Sequence, residues 1–335
     1  IPTSAVSFLT RKHSFAAGIV ISASHNPYQD NGIKIFSSQG TKIPDAWERK
    51  LEKAMSGASK KVERKKIKIS PNPSFGHEYV EFLKSRFSPS ILPKKIRIAI
   101  DCSNGASSFF AGQVFSDLGF EVIALSNAPD GKNINARCGS LYPQNLARKV
   151  AESKADIGIA YDGDADRAIP VDEHGKILNG DYTLFILSRF MKEKGLLKSD
   201  CVVATIMSNV GLERALGKLG LKLVRTQVGD KYVLEQMVNL GANLGGEQSG
   251  HTIFLDDFPT GDGILTTLKI LEVMVEDNAP LSRLAEDLKE FPQVLVNVQV
   301  ARKADFSQFP EIMKKIGQIK EKLGGSGRLN LRYSG

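Results

Sequence analysis

Three short polar loops hold most of the residues whose types and spacing suit chemistry. In Asp162-Gly-Asp-Ala-Asp-Arg167 the aspartates alternate, so an extended loop would turn three carboxylates toward one point. Anions held that close need a cation, and hard oxygen ligands select Mg²⁺ or Ca²⁺. Glu173 falls twelfth from Asp162, as an EF-hand requires. The sixth position, however, is Arg167 rather than glycine, and the flanks read as strands, so that loop type is excluded. Three carboxylates beside an arginine suit an Mg²⁺ that takes its other ligands from water and a phosphate; the plain alternative is a solvated acidic turn. Arg167 would grip anion oxygens through its planar fork. A metal and an arginine together suggest phosphoryl transfer, in which catalysis is mostly positioning and charge neutralisation.

That chemistry needs an acceptor, and Ile21-Ser-Ala-Ser-His-Asn-Pro27 offers one. Ser24 is a presented hydroxyl able to carry a phosphoryl group and lend an oxygen to the metal. Taken alone the segment is an ordinary Ser/Asn/Pro turn. A Ser/His hydrolase fits poorly, because Ser24 and His25 are immediate neighbours pointing apart and no Gly-x-Ser-x-Gly elbow exists. In the third loop, Gly245-Gly-Glu-Gln-Ser-Gly-His251, the alternation of Glu247, Ser249 and His251 would let them face one side. Glu and Ser suit hydrogen bonds to sugar hydroxyls, and the glycines permit close approach, although a structural turn reads equally well. Near the end, Arg332-Tyr-Ser-Gly335 supplies an arginine, a hydroxyl and a glycine able to cradle a phosphate.

Each loop follows an apolar run. Ala17-Gly-Ile-Val-Ile21 reads as a buried strand stopped by Asn26-Pro27, with Gly32-Ile-Lys-Ile-Phe36 the next strand and a helix over 5–13 before them. Trp47, Leu51, Ala54 and Met55 recur at helical spacing behind Pro44-Asp45 and read as core packing. After Ser70-Pro-Asn-Pro-Ser74 the pattern resets: a helix near 78–87, Lys95 to Asp101 as a strand, a helix ending near Gly119, a strand over 120–125, a helix over 143–153 and the strand Asp156 to Tyr161. Ala168 to Val171 and Lys176 to Leu178 suggest a hairpin. A third block repeats the grammar, with helices over 181–194, 210–219, 230–240 and 262–276 and strands over 201–206 and 221–225. Past Phe291-Pro292, strand-like Val294 to Val300, a helix over 310–323 and strand-like Arg328 to Arg332 form a smaller α+β piece. The expected architecture is α/β: three similar α/β mixed-sheet domains (1–72, 73–177 and 178–291) and a partial C-terminal α+β domain (292–335) around a central cleft. Each of the first three carries one polar loop.

Composition is consistent with this. An apolar fraction of 41% and a charged fraction of 24% over 335 residues are those of a globular protein of two to four domains. The net charge of +8 is compatible with nucleic acid, an acidic surface or small anionic substrates. Basic residues mix with acidic ones, and the densest run, Lys60-Lys-Val-Glu-Arg-Lys-Lys-Ile-Lys68, reads as a solvated strand and turn, so no nucleic-acid partner is expected. Cys102, Cys138 and Cys201 lack metal-type spacing and read as free thiols in a reducing compartment. No apolar run reaches transmembrane length, so no membrane partner is expected and a cytoplasmic enzyme fits.

Together these motifs resemble the α-D-phosphohexomutase family, in the family's order and across the whole chain. Ser-Ala-Ser-His-Asn-Pro resembles its phosphoserine loop, Asp-Gly-Asp-Ala-Asp-Arg its magnesium loop, Gly-Glu-Gln-Ser-Gly-His its sugar loop, and Arg332 to Gly335 the start of its phosphate-binding loop. The serine loop with Gln248 is most similar to members acting on amino sugars, whereas mannose and glucose mutases more often carry Met at that loop position. The resemblance implies four domains around a cleft and the interconversion of glucosamine 6-phosphate and glucosamine 1-phosphate, a step toward UDP-N-acetylglucosamine. By position, Ser24 would be the phosphoserine, and its phosphate would hold one Mg²⁺ with Asp162, Asp164 and Asp166. Lys34 and Arg167 would stabilise the transferring group, with His25 nearby. Glu247 and Ser249 would bind sugar hydroxyls, His251 would be a proton-transfer partner, and Arg332 and Ser334 would hold the phosphate that is not reacting. A hexosamine 1,6-bisphosphate would serve as intermediate and activator, and a homodimer is compatible with the family.

Two departures from the family pattern stand out. The chain starts at Ile1 without Met, lacking the Gly/Arg-containing loop expected upstream, and stops at Ser334-Gly335 before an expected Thr. Both ends read as cut, and weak or no turnover is the expectation for such a chain. A phosphomannomutase/phosphoglucomutase shares the mechanism and differs only in substrate. From another class, a non-catalytic sugar-phosphate binder would not need Ser24 and all three aspartates.

Overall fold

The computed structural model describes residues 1–56, 70–89, 95–324 and 327–333; the basic run at 60–68 and the expected phosphate contact Ser334 lie outside them. The chain opens with α1 (Thr3–Lys12), the antiparallel pair β1 (Ala17–Ser22) and β2 (Gly32–Ser37), and α2 (Asp45–Ser56). Both strands fall where the apolar runs place them, but β1 is not buried as expected: the two-stranded pair leaves Ile19 and Ile21 exposed on one face. Gly18 lets α1 lie directly on β1, since a Cβ there would stand 2.2 Å from Thr10 Oγ1.

The second unit runs α3 (Ser74–Lys84), β3 (Arg97–Asp101), α4 (Ala111–Asp117), β4 (Glu121–Leu125), α5 (Gln144–Ser153), β5 (Ile157–Tyr161) and β6 (Ala168–Asp172). Its sheet order is β4-β3-β5-β6, parallel except for the last strand, which returns antiparallel along β5. The turn expected after Val171 is present: Gly175 takes φ +83° and Val171 bridges Ile177.

The third unit repeats the plan with α6 (Gly180–Glu193), β7 (Cys201–Thr205), α7 (Val210–Lys218), β8 (Lys222–Thr226), α8 (Asp230–Leu240), β9 (Leu244–Gly246) and β10 (Thr252–Phe254), followed by α9 (Gly263–Glu276) and α10 (Leu281–Ala285). The order β8-β7-β9-β10 has the same directions, β10 alone being antiparallel. The two sheets therefore share one topology. Their central strands are buried on both faces, which explains the unbroken apolar runs of β5 and β7.

One apolar core passes through all three units, from Ala5 through Tyr79, Phe115 and Phe185 to Leu288. Polar groups lock the units inside it. The Tyr79 hydroxyl, buried between α1, α3 and α9, donates to Asp262 Oδ2 at 2.6 Å and lies 3.1 Å from Ser4 Oγ. Asp262 Oδ1 in turn accepts the Ile264 and Leu265 N–H groups at the start of α9.

Three further expectations are corrected. The stripe on α2 is not core: Trp47 and Met55 are exposed and no residue of that helix is buried. Periodicity marks an apolar face without naming what covers it. The runs 294–300 and 328–332 form no strand, and Val294 is 86% exposed. A strand needs a neighbour for its N–H and C=O groups, and these runs find none among the described residues. The tail instead holds α11 (Pro310–Leu323), as the periodicity predicts.

Candidate active site

The three polar loops occupy equivalent places. Residues 23–31 join the antiparallel pair β1 and β2, 162–167 join β5 and β6, and 247–251 join β9 and β10. Hydrogen bonds then fasten the loops to one another. Gly163 N–H donates to the Ser24 carbonyl (3.0 Å), Ala168 N–H donates to the Gly250 carbonyl (3.1 Å), and Arg167 bridges His251. Glycine is required at these approaches: a Cβ on Gly163 would lie 2.6 Å from the Ser24 carbonyl oxygen, and one on Gly250, at φ +94°, 2.6 Å from that of Ala168.

Asp162, Asp164 and Asp166 are buried, and one oxygen from each falls within 4.8 Å of the others. The loop is not extended as expected; a turn in which Ala165 adopts φ +59° and donates to the Asp162 carbonyl brings the carboxylates together. Lys34 on β2 donates to Asp164 Oδ2 (2.5 Å) and Asp166 Oδ2 (2.9 Å). Thr3 at the start of α1 adds its hydroxyl to Asp164 Oδ2 and its N–H to the Asp164 carbonyl. Arg167 stands 3.8 Å from Asp162 and 3.9 Å from Asp166 through Nε.

Asp162 Oδ2, Asp164 Oδ1 and Asp166 Oδ1 nevertheless remain buried with no hydrogen-bond partner among the described residues. Three such oxygens, one per aspartate, are what a hard divalent cation would satisfy. Burial, followed by the charges of Asp166 and Asp164, holds the Asp162 carboxyl well above the usual range. Burial also opposes ionisation of Asp166, but Lys34, His251 and Arg167 outweigh it and hold that carboxyl well below the range. For Lys34, burial works against the ammonium, and Asp166 and Asp164 more than compensate, raising its pKa.

Ser24 sits in the left-handed region at φ +52°, its Oγ 3.4 Å from His25 Nδ1 and its N–H donating to Ser22 Oγ. Burial and the Arg167 charge lower the pKa of His25. Glu247 accepts the Gly229 N–H through Oε1 (3.1 Å), at the start of α8, and Gln248 donates to Asp181 Oδ2 (3.1 Å). Glu247, Ser249 and His251 do not face one side. Ser249 is exposed, whereas His251 is buried with Nδ1 3.7 Å from Asp166 and Nε2 3.6 Å from Asp230. The turn closed by Gly250 N–H on the Glu247 carbonyl breaks the alternation. Burial works against charge on the His251 ring while Asp166 and Asp230 raise its pKa. The Gly261 N–H on Nε2 (3.1 Å) nevertheless requires a lone pair there and holds the neutral Nδ1–H tautomer. Arg332 is exposed on a segment where Tyr333 stacks on Phe306, and no hydrogen bond or ion pair joins it to the aspartate loop.

Sequence reasoning missed Thr3, Asp230 and Asn135. Lone polar residues in helix starts and loops look like surface, and only Asn135's place in a Gly131-Lys-Asn-Ile-Asn135 turn-rich stretch gave any signal.

A buried aspartate cluster lies beside a lysine, an arginine and the backbone of a half-buried serine loop, and comparison with known proteins gives the class of protein that carries it. Phosphoglucomutase/phosphomannomutase alpha/beta/alpha domains I, II and III match residues 1–62, 77–175 and 179–291. The phosphoglucosamine mutase of Pelobacter propionicus is 47% identical over 341 residues, covering 100% of this chain and 75% of that protein. That of Carboxydothermus hydrogenoformans is 45% identical, covering 100% and 76%. Among solved structures, a phosphoglucomutase/phosphomannomutase family protein from Burkholderia thailandensis superposes with TM-score 0.68 at 26% identity, over 82% of this chain and 58% of that one. Aspergillus fumigatus N-acetylphosphoglucosamine mutase, solved with GlcNAc-6P and magnesium, gives TM-score 0.74 at 18% identity over 96% and 84%, a likeness of fold. The chain belongs to the phosphoglucomutase/phosphomannomutase family, the α-D-phosphohexomutases. Its enzyme class is that of isomerases that move a phosphoryl group within a sugar phosphate.

Proposed function

We propose that this chain interconverts glucosamine 6-phosphate and glucosamine 1-phosphate through a phosphoserine at Ser24 and a glucosamine 1,6-bisphosphate. The observation that carries the reading is the docking of the Ser24 carbonyl on Gly163, inside an aspartate loop whose three unpartnered oxygens await a cation. Relatives named phosphoglucosamine mutase, 44–47% identical along the whole chain, favour the amino sugar. In the forward direction the sugar's O1 forms a bond to the Ser24 phosphorus as the P–Oγ bond breaks, and the O1 proton leaves to a base. The bisphosphate then reorients, and Ser24 Oγ takes the 6-phosphoryl group while O6 regains a proton. Phosphate is conserved over the cycle.

Asp162, Asp164, Asp166 and the phosphoserine would hold one Mg²⁺, whose charge would offset that of the transferring group. Lys34 and Arg167 face the same region and supply fixed positive charge with no reorganisation. Glu247 keeps Oε2 for a sugar hydroxyl and Ser249 is exposed beside it, while Arg332 and Ser334 would hold the second phosphate. His251, clamped between Asp166, Asp230 and Gly261, would fix the aspartate that Lys34 also holds. On this reading the chain divides at 1–72, 73–177, 178–291 and 292–335, and it works in the cytoplasm, where its three free cysteines persist.

Phosphorus NMR tests the substrate by offering glucosamine, glucose and mannose 6-phosphates in parallel, with Mg²⁺ and a trace of hexose 1,6-bisphosphate. The 1-phosphate signal should grow fastest from the amino sugar, by roughly 10-fold or more, since a site built for a polar substituent rejects analogues lacking it. Faster conversion of glucose or mannose would move the substrate. Binding of all three with no phosphoryl uptake on Ser24 would favour a sugar-phosphate-binding protein.

A further inference from the structure

The Ser24 turn is held from outside its own hairpin. Asn135, in the long connection after β4, donates both amide N–H bonds of its side chain across the interface, to the Ser24 carbonyl (2.8 Å) and the Asn26 carbonyl (2.7 Å). Those two carbonyls flank His25. The amide oxygen of Asn135 accepts the Ser103 hydroxyl (2.9 Å), and its own N–H donates to the Ser103 carbonyl (2.9 Å). Ser103 stands two residues beyond the end of β3, so this Asn135 strap is anchored at the end of an inner strand of the second sheet. Asn135 stands at φ +58°, where Asn, Asp and Gly are the tolerated types.

Two N–H groups therefore converge on the Ser24 carbonyl, one from Asn135 and one from Gly163 between two of the aspartates. Ser24 is itself left-handed at φ +52°, a conformation an L-residue keeps only where its surroundings fix it. Rotation of that peptide toward the common backbone regions would carry the Oγ away from its present direction. Asn135 opposes the rotation on both sides of His25.

We propose that Asn135 is a positioning residue for the phosphoryl-carrying serine, holding the left-handed Ser24 turn against the aspartate loop without touching the sugar. This rests on the reading of Ser24 as the phosphoserine. Its function requires the two donors together: Asp keeps the shape and the backbone preference but removes both, and Gly removes the side chain altogether.

The experiment charges the protein with labelled glucose 1,6-bisphosphate and follows transfer from Ser24 to saturating sugar 6-phosphate in a single turnover. Asn135→Asp, Asn135→Gly, Ser103→Ala and Ser24→Ala are compared with the unmodified chain, each checked as folded by circular dichroism. Both Asn135 variants should slow transfer by about 10²-fold, the scale of a misplaced reacting group. The apparent KM for the sugar phosphate should stay within about threefold, because no ground-state contact is lost. Ser103→Ala, which frees only the far end of the strap, should slow transfer by about tenfold. Transfer within about threefold of the unmodified rate in folded Asn135→Asp and Asn135→Gly would overturn the proposal. So would a loss tracking the unfolded fraction, or a matching rise in KM, since either marks a purely structural or a binding role. Label retained by Ser24→Ala contradicts the phosphoserine reading instead, which separates the two failures.

Discussion

Asp162 Oδ2 is buried and accepts no hydrogen bond among the described residues, and the Arg167 guanidinium 3.8 Å away only partly offsets the cost of its charge. Its carboxyl is held well above the usual range by burial and by its two neighbours, so the native state binds that proton more tightly than the unfolded chain does. The sign follows: the contribution of Asp162 to stability is present below the ordinary carboxylate pKa of about 3.9 and is lost as pH rises through the raised value. Asp162→Asn keeps the shape and removes the charge. In metal-stripped protein near pH 7 it should raise the melting temperature by about 1–2 °C, the equivalent of ~1 kcal/mol at this size, and the gain should shrink toward about pH 4. Mg²⁺ at ~100 times its Kd should add about 2.7 kcal/mol to the parent chain and almost nothing to the variant. Melting curves in EDTA and in Mg²⁺ check both; a destabilised variant near neutral pH, or one with an unchanged Mg²⁺ shift, would contradict the assignment. Alternating aspartates made this cluster legible in the sequence, although the carboxylates converge through a left-handed turn at Ala165 that alternation does not foresee.

At the scale of elements, function depends on where antiparallel strands return. Each chemistry-bearing loop closes such a return, β1 to β2, β5 to β6 and β9 to β10, and the same topology in the second and third sheets puts the last two at equivalent places. For the last two loops, apolar runs ending in polar loops show this in the sequence, because a run buried on both faces has to surface where its strand ends. Side-chain bonds between distant elements leave no such trace. Nothing near Tyr79 in sequence points to Ser4 or Asp262, yet the three join α1, α3 and α9. Thr3 is similarly invisible, since one polar residue at a helix start carries no period, and the turn-rich stretch around Asn135 marks a turn without naming its partners. Burial raises the Asp262 pKa, and the Tyr79 donor opposes that rise. Tyr79→Phe leaves Asp262 Oδ2 without that donor in a dry site, and should cost about 1–3 kcal/mol in urea unfolding while the spectrum of the native state is kept. An unfolding midpoint unchanged by the substitution would mean that the bond contributes nothing to holding the units together.

On the scale of the molecule, three units place three hairpin loops against one another. Lys34 of the first unit lies on Asp164 and Asp166 of the second, and Asp166 in turn lies beside His251 of the third. Lys42 on Asp230 and Lys231 on Asp45 tie the first unit to the third at the same side. The apolar runs after Phe291 show the limit of pattern at this scale: β-period residues without a neighbouring strand stay exposed, as Val294, Val296 and Val298 do. What joins the units into one enzyme is the claim that a phosphoryl group rests on Ser24 between turnovers. Mass spectrometry of the chain after incubation with a hexose 1,6-bisphosphate and Mg²⁺ tests it most directly. One added phosphoryl group, located on Ser24 and removed by glucosamine 6-phosphate, is the predicted result; an unmodified Ser24, or a label on another residue that the sugar phosphate discharges, would contradict it.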